Sequence, residues 1–151
     1  MSINRGHFSP NMSGIAPRLV ANDAGAVAPN SLHILRFRTD LIDGRSLAGL
    51  WQTSLTALSA EIEGHSLGGG MLKLEPTEAE KILVPWPRVA TSQLTELAGE
   101  LDELARRSKP VGDRANEEVL QQQLGLSRSD CQLLSSAVDT LRERRLRKNG
   151  E

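Results

Sequence analysis

Apolar positions follow two regimes along the chain. Beyond residue 87 they recur at helical spacing: Leu94, Leu97, Ala98, Leu101 and Leu104 line one stripe and predict a helix from about Thr91 to Arg107, broken by Lys109-Pro-Val-Gly. A shorter helix around Ala115 to Leu124 carries Val119, Leu120 and Leu124 and stops at Gly125. Ser127-Arg-Ser-Asp130 reads as a capping box opening a last helix, with Cys131, Leu134, Val138 and Leu141 on one stripe. Its basic end suits the helix dipole, and Arg142, Arg144, Arg145, Arg147 and Lys148 are expected to be solvated there.

Before residue 87 the pattern is mixed. Leu47, Leu50, Trp51, Leu55, Leu58 and Ile62 predict one long amphipathic helix over about Ser46 to Glu63. It runs out at Gly64-His-Ser-Leu-Gly-Gly-Gly, where four glycines make a continuing helix costly. A short strand, Met71 to Leu74, follows, and Pro76-Thr-Glu-Ala-Glu predicts a cap between Thr77 and Glu80. Arg18 to Asn22 and Leu32 to Arg38 suit strands, separated by turn formers. In the second, alternation sets His33, Leu35 and Phe37 on one face and Ile34, Arg36 and Arg38 on the other. Residues 1–16 show neither period and contain Gly6, Pro10 and Gly14, so they read as a lead-in loop. The expected fold is α+β: a short-stranded, incomplete sheet with one long amphipathic helix, followed by a C-terminal helical hairpin or small bundle. The expected divisions are 1–16, an α+β module over 17–90, and a helical extension over 91–151. So few strands leave sheet edges uncovered, and part of the fold is expected elsewhere.

Composition narrows the chemistry. At 151 residues one domain is the prior, and with only two Phe, two Trp and no Tyr the core must be built from aliphatic residues. The single cysteine excludes an internal disulfide, and no run reaches the roughly 18 apolar residues of a membrane span. With no apolar N-terminal segment, a cytoplasmic setting is expected. The net charge of −1 divides into +3 over residues 1–38, −7 over 39–141 and +3 over 142–151. A polyanion would therefore be met at the ends or at a few placed residues.

Several classes fall away. A dinucleotide or S-adenosylmethionine site wants a strand running into a glycine turn and then a helix, whereas the glycines here follow a helix and precede a strand. No Gly-Lys pair exists, which removes the P-loop. His7, His33, His65 and Cys131 lack the paired spacing of a metal site. Cys131 reads as a small buried hydrophobe, and no serine is expected to lie in a Gly-x-Ser-x-Gly nucleophile elbow, so an enzyme has no anchor.

Three segments taken in order carry a resemblance: Val20 to Arg36, Ser46-Leu-Ala-Gly-Leu-Trp-Gln-Thr-Ser54, and Ser66-Leu-Gly-Gly-Gly-Met-Leu-Lys-Leu-Glu-Pro76 followed by Leu83-Val-Pro-Trp-Pro87. Together, over about residues 15–90, they resemble the C-terminal target-recognition portion of adenine-specific (N6) DNA methyltransferases of restriction-modification systems. In that family an N-terminal domain binds S-adenosylmethionine and holds the flipped adenine in an Asn/Asp-Pro-Pro-Tyr/Phe loop, while the C-terminal part reads DNA. Val84-Pro85-Trp86-Pro87 does not match that loop: the amide or carboxylate is missing and the prolines are not adjacent.

The resemblance therefore implies a DNA-binding part, in a restriction-modification or phage-defence system, without its own catalytic domain. It implies double-stranded DNA and a catalytic methyltransferase chain or domain as partners, no membrane, and no cofactor on this chain, S-adenosylmethionine belonging to the catalytic partner. The chain is expected to be a split subunit or truncated gene product that transfers no methyl group alone. Candidate DNA contacts are Arg18, Asn22, Asn30, His33, Arg36, Arg38, Ser66, Gly68, Gly69, Gly70 and Lys73. Most have a plain structural reading too: a solvated strand face for Arg36 and Arg38, a packed histidine for His33, turn-forming asparagines, and a pure turn for the glycines. The alternative is a protein-interaction module docking through its C-terminal helices.

Overall fold

The computed structural model describes residues 5–9, 17–27, 33–38, 43–67 and 70–147. Asn30, Gly68, Gly69 and Lys148 lie outside them. Three short strands, β1 (Arg5–Ser9), β2 (Arg18–Ala21) and β3 (His33–Arg36), form an antiparallel sheet in the order β2-β1-β3. The lead-in loop expected over residues 1–16 is thus corrected at its centre, because Arg5–Ser9 is the middle strand. Its backbone pairs on both sides, with Phe8 opposite Leu19 and His33 and Gly6 opposite Ala21 and Leu35. A separate hairpin joins β4 (His65–Leu67) to β5 (Met71–Lys73).

The single long helix expected over 46–63 is two helices, α1 (Gly44–Leu50) and α2 (Ser54–Glu63). The break has a local and a distant cause. Thr53 leaves helical geometry and its hydroxyl accepts the Thr56 amide, while the Ser54 amide is taken by Asn116 Oδ1 at 2.8 Å. Asn116 opens a π-helical stretch, Asn116–Gln123, that continues the short helix α5 (Gly112–Ala115) where an ordinary helix is expected. The wider turn brings Ala115, Asn116, Val119 and Leu120 all inward, and burial of that set compensates the poorer ladder.

Between β5 and the C-terminal helices, α3 (Pro76–Ala79) is capped two residues earlier than Thr77: the Glu75 amide donates to Glu78 Oε2 at 2.7 Å, with Pro76 first in the helix. Helix α4 spans Thr91–Arg106 and α6 spans Arg128–Arg147, close to the periodicity. The box at α6 forms as expected, the Ser127 hydroxyl accepting the Asp130 amide while Asp130 accepts the Ser127 amide and hydroxyl.

Two cores result. Leu50, Leu94, Leu97, Leu101, Ala115, Val119, Leu120 and Cys131 form one, and Leu19, Leu47, Trp51, Ala60 and Leu74 the other, with Val84 packed against both. Helix α1 packs on α4 and β2, and α2 packs on α6.

The basic tail is not simply solvated. Arg145 is buried and grips Glu61 of α2 with two nitrogens, at 3.0 and 2.8 Å, while also donating to the Gly70 carbonyl. Arg142 reaches the same carboxylate at 3.2 Å. The Glu61 side chain is 2% exposed and that of Arg145 4%, so each charge depends on the other. Gly70 has φ +73°, a left-handed conformation that favours glycine, and a Cβ there would stand 2.6 Å from Leu146 Cδ2, so that side chain on α6 would have to move aside.

Two predictions follow from this packing. Glu61→Ala strands the Arg145 guanidinium and should lower unfolding free energy by about 3 kcal/mol in urea titrations, whereas truncating exposed Glu143 should change it by less than about 0.5 kcal/mol. Burial, then the charge of Asp130, pushes the Cys131 thiol above its ordinary value, against a bond from Gln121 that lowers it. A chromogenic disulfide reagent at neutral pH should therefore label Cys131 slowly in the native protein and at once in urea.

Candidate nucleic-acid interface

The three-stranded sheet sorts its side chains by alternation. On β2, Leu19 is buried while Arg18 and Val20 face out, and on β3, His33 and Leu35 are half-buried while Ile34 and Arg36 are exposed. Leu35 packs on the Leu19–Trp51 core, so the inner face is fixed and the outer face carries Arg18, Val20, Ile34 and Arg36. Arg38 is exposed two residues beyond the strand. The register sets Ser9 opposite Arg18 and Arg5 opposite Arg36, which puts Arg18 and Arg36 at diagonal corners of the sheet. With strand spacings of ~4.8 Å and a rise of ~3.4 Å per residue, their Cα atoms lie roughly 17 Å apart. Among the described residues, Arg18, Arg36 and Arg38 have no carboxylate partner.

Other contacts hold this face in place. Trp51 Nε1 donates to the Pro17 carbonyl at 2.8 Å, fixing the start of β2 on α1. Arg45 donates to Asp23 at 2.8 Å, fixing the turn after β2. Asn22 uses both amide atoms on the backbone of Ala26, at 2.7 and 2.9 Å, and so closes that turn. His33 Nε2 meets the Leu74 carbonyl at 3.1 Å, tying β3 to the end of β5.

Of the candidate contacts, the structure brings Arg18 and Arg36 to one exposed face, with Arg38 exposed just beyond β3 and Asn22 and His33 engaged nearby. Ser66, Gly70 and Lys73 form a second group on the hairpin. Lys73 pairs with Glu75 at 2.5 Å, the Gly70 carbonyl accepts from Arg145, and Ser66 is exposed beside Arg144 and Arg147.

Sequence reasoning also passes over Gly64-His65-Ser66-Leu67-Gly68, which has the Gly-x-Ser-x-Gly spacing of a nucleophile elbow. The structure does not build one. Ser66 lies within β4 after a helix instead of on a strand-to-helix turn, and the adjacent His65 bonds Glu78 through Nδ1 at 3.1 Å. Neighbours on a strand point to opposite faces, so His65 is turned away from the Ser66 hydroxyl.

A cleft of about 890 Å³ opens beside the sheet, between β2, α1, α4 and residues 108–111. Arg18, Arg45, Arg106 and Lys109 line it, along with Asp23 and Asp102. The spacing of α4 and the Pro110 break carry the signal for Arg106 and Lys109, but only the packing of α1 on α4 places them with Arg18. That packing is pinned by Asp43, which caps α1 by accepting the Arg45 and Ser46 amides and the Ser46 hydroxyl, and lies within reach of Thr95 on α4. Burial would raise the Asp43 carboxyl, but the bonds from Ser46, Arg45 and Thr95 outweigh it and hold it below its ordinary value.

Among the described residues no group of three or more His, Cys, Asp or Glu could hold a metal ion, and no helix is long and apolar enough to cross a membrane. Among the described residues the glycine segment leads from β4 into β5 and not into a helix N-terminus, so they do not fit S-adenosylmethionine.

Compared with known families, residues 7–121 match the one described as Type II methyltransferase M.Eco57I, C-terminal domain. The match crosses residue 90, runs through α4 and α5 into the π-helical stretch, and stops before α6. No curated protein and no solved structure matches the chain.

Because the Asp43 carboxyl is lowered on folding, its contribution is fully present above the unfolded value of about 3.9 and is lost as pH falls through the lower folded value. Asp43→Ala should cost about 1 kcal/mol at pH 7, and the gap to wild type should narrow in denaturation curves taken progressively below pH 4.

Proposed function

The chain belongs to the C-terminal, target-recognition-like domain family of M.Eco57I-type adenine-specific DNA methyltransferases, and on that premise we propose that it grips duplex DNA with the outer face of its three-stranded sheet. The observation that supports this most is the set of three arginines, Arg18 and Arg36 held outward by strand alternation and Arg38 exposed just beyond β3, with no carboxylate partner among the described residues. Arg18 and Arg36, at two diagonal corners of the sheet roughly 17 Å apart, reach separate phosphates instead of crowding one. Between them Val20 and Ile34, 55% and 44% exposed, offer apolar contact of the kind that meets a thymine methyl or a sugar. Asn22 and His33 act mainly as positioning residues in this arrangement, since their polar atoms hold the turn and the sheet edge.

The division of labour follows from chemistry. An adenine inside a duplex is out of reach until it leaves the stack, and the flanking DNA must be held while it does. This chain supplies the hold. A catalytic methyltransferase chain or domain supplies the Asn/Asp-Pro-Pro-Tyr/Phe loop and the S-adenosylmethionine, neither of which the sequence here accommodates.

Titrating the chain with labelled duplex across a salt series tests the reading. Affinity should fall with salt, and the Arg36→Ala/Arg38→Ala double variant should flatten the log–log slope by about 1.8, at ~0.9 per lost phosphate contact. Salt-independent affinity, or an unchanged slope in the double variant, contradicts it and favours a module that docks on protein through its C-terminal helices.

A further inference from the structure

The cleft beside the sheet has features that the sheet-face reading does not use. Its two carboxylates are already held: Asp23 by Arg45 at 2.8 Å and Asp102 by Arg106 at 2.9 Å. Arg18 and Lys109, on opposite walls, have no carboxylate partner among the described residues, so the cleft carries uncompensated positive charge at both sides. Its lining includes Gly99, an exposed glycine inside helix α4, where every residue except proline would favour the helix more. A Cβ at Gly99 would meet nothing within 4 Å, so packing does not require the glycine and a larger side chain has room to enter the space beside it.

We infer that this cleft takes the sugar–phosphate backbone of the DNA strand that leaves the sheet face, continuing the contact from Arg18 to Lys109. The inference rests on the sheet-face reading, since Arg18 belongs to both surfaces. Three observations select this occupant. No aromatic residue lines the cleft, so it offers no platform on which a base would stack. The cleft adjoins β2, the strand that carries Arg18, and has a volume of about 890 Å³. Uncompensated cations at two separated points suit a ligand carrying repeated negative charge.

The experiment compares the full wild-type chain with Lys109→Ala, Gly99→Leu and Arg36→Ala/Arg38→Ala, measuring affinity and salt slope for a labelled duplex, with melting curves as the folding control. Lys109→Ala should flatten the slope by about 0.9 and weaken binding about eight-fold at 0.1 M salt, the worth of one phosphate contact. Gly99→Leu should weaken DNA binding by obstructing the cleft while melting no lower than wild type, because leucine favours the helix. If both leave affinity and slope unchanged while the double arginine variant flattens the slope, DNA bypasses the cleft: the inference fails and the sheet-face reading stands. If the wild type shows no salt-dependent binding, both fall. If Lys109→Ala weakens binding of a poly-glutamate peptide more than that of duplex, the cleft serves an acidic protein segment and the inference is overturned.

Discussion

A break in one helical ladder organises the molecule. Between Leu50 and Ser54 the backbone stops repeating, and the groups it releases are buried: Thr53 and Thr56 hydroxyls turn to the Leu50 carbonyl, and Asn116 takes the Ser54 amide. An unmet buried amide is costly, so these substitutes are obligatory. The break lets α1 and α2 take separate duties. Helix α1 holds β2 through Trp51 and Arg45 and lies on α4, which shapes both the outer sheet face and the cleft. Helix α2 turns to α6 and meets it through Glu61. One straight helix over the same residues would present a single stripe and serve one of these surfaces only.

How much of this was legible in the sequence depended on the range of the interaction responsible. Helices α4 and α6 and the two faces of β3 follow from periodicity, because a stripe or an alternation is written in neighbouring residues. The helix break is not legible, since half of its cause is Asn116, 62 residues from Ser54. Strand β1 escaped because its stabilisation comes from pairing with a strand on each side, and no apolar alternation marks Arg5–Ser9. Arg145 was readable in principle: it continues the Val138 and Leu141 stripe at helical spacing, which outweighs the habit of treating a basic helix end as solvated. Glu61 inverts expectation further. Ile62, expected on the apolar stripe, is 63% exposed while the neighbouring carboxylate is inside. A buried acid cannot be inferred without its partner, and the partner lies 84 residues away.

The candidate site divides in the same way. Arg36 and Arg38 were visible as a shared strand face, and Arg18 as an isolated basic residue at a strand start. Their relation to one another was not, because β1 lies between the strands that carry them. The glycine turn looked like a phosphate cradle from composition; in the structure Gly70 sits at φ +73° and offers its carbonyl to Arg145, so at that residue the backbone conformation accounts for the glycine. Arginines with similar sequence surroundings thus have opposite roles: Arg145 neutralises a buried charge, whereas Arg18 and Arg36 remain available to an outside one.

That contrast bears on how the proposed DNA contact would work. Outside the two basic ends the chain carries a balance of −7, so its bulk repels a duplex and only placed cations attract it. Three phosphate contacts are worth roughly 500-fold in affinity between 1 M and 0.1 M salt, far less than a tight complex requires. Under the proposed reading such a module orients a duplex more than it captures one. The flanking repulsion then becomes useful, since it penalises every pose except the one that seats the arginine corners. On the same proposal, tight binding comes from surface that the catalytic part adds, which couples recognition to the presence of the group that does the chemistry.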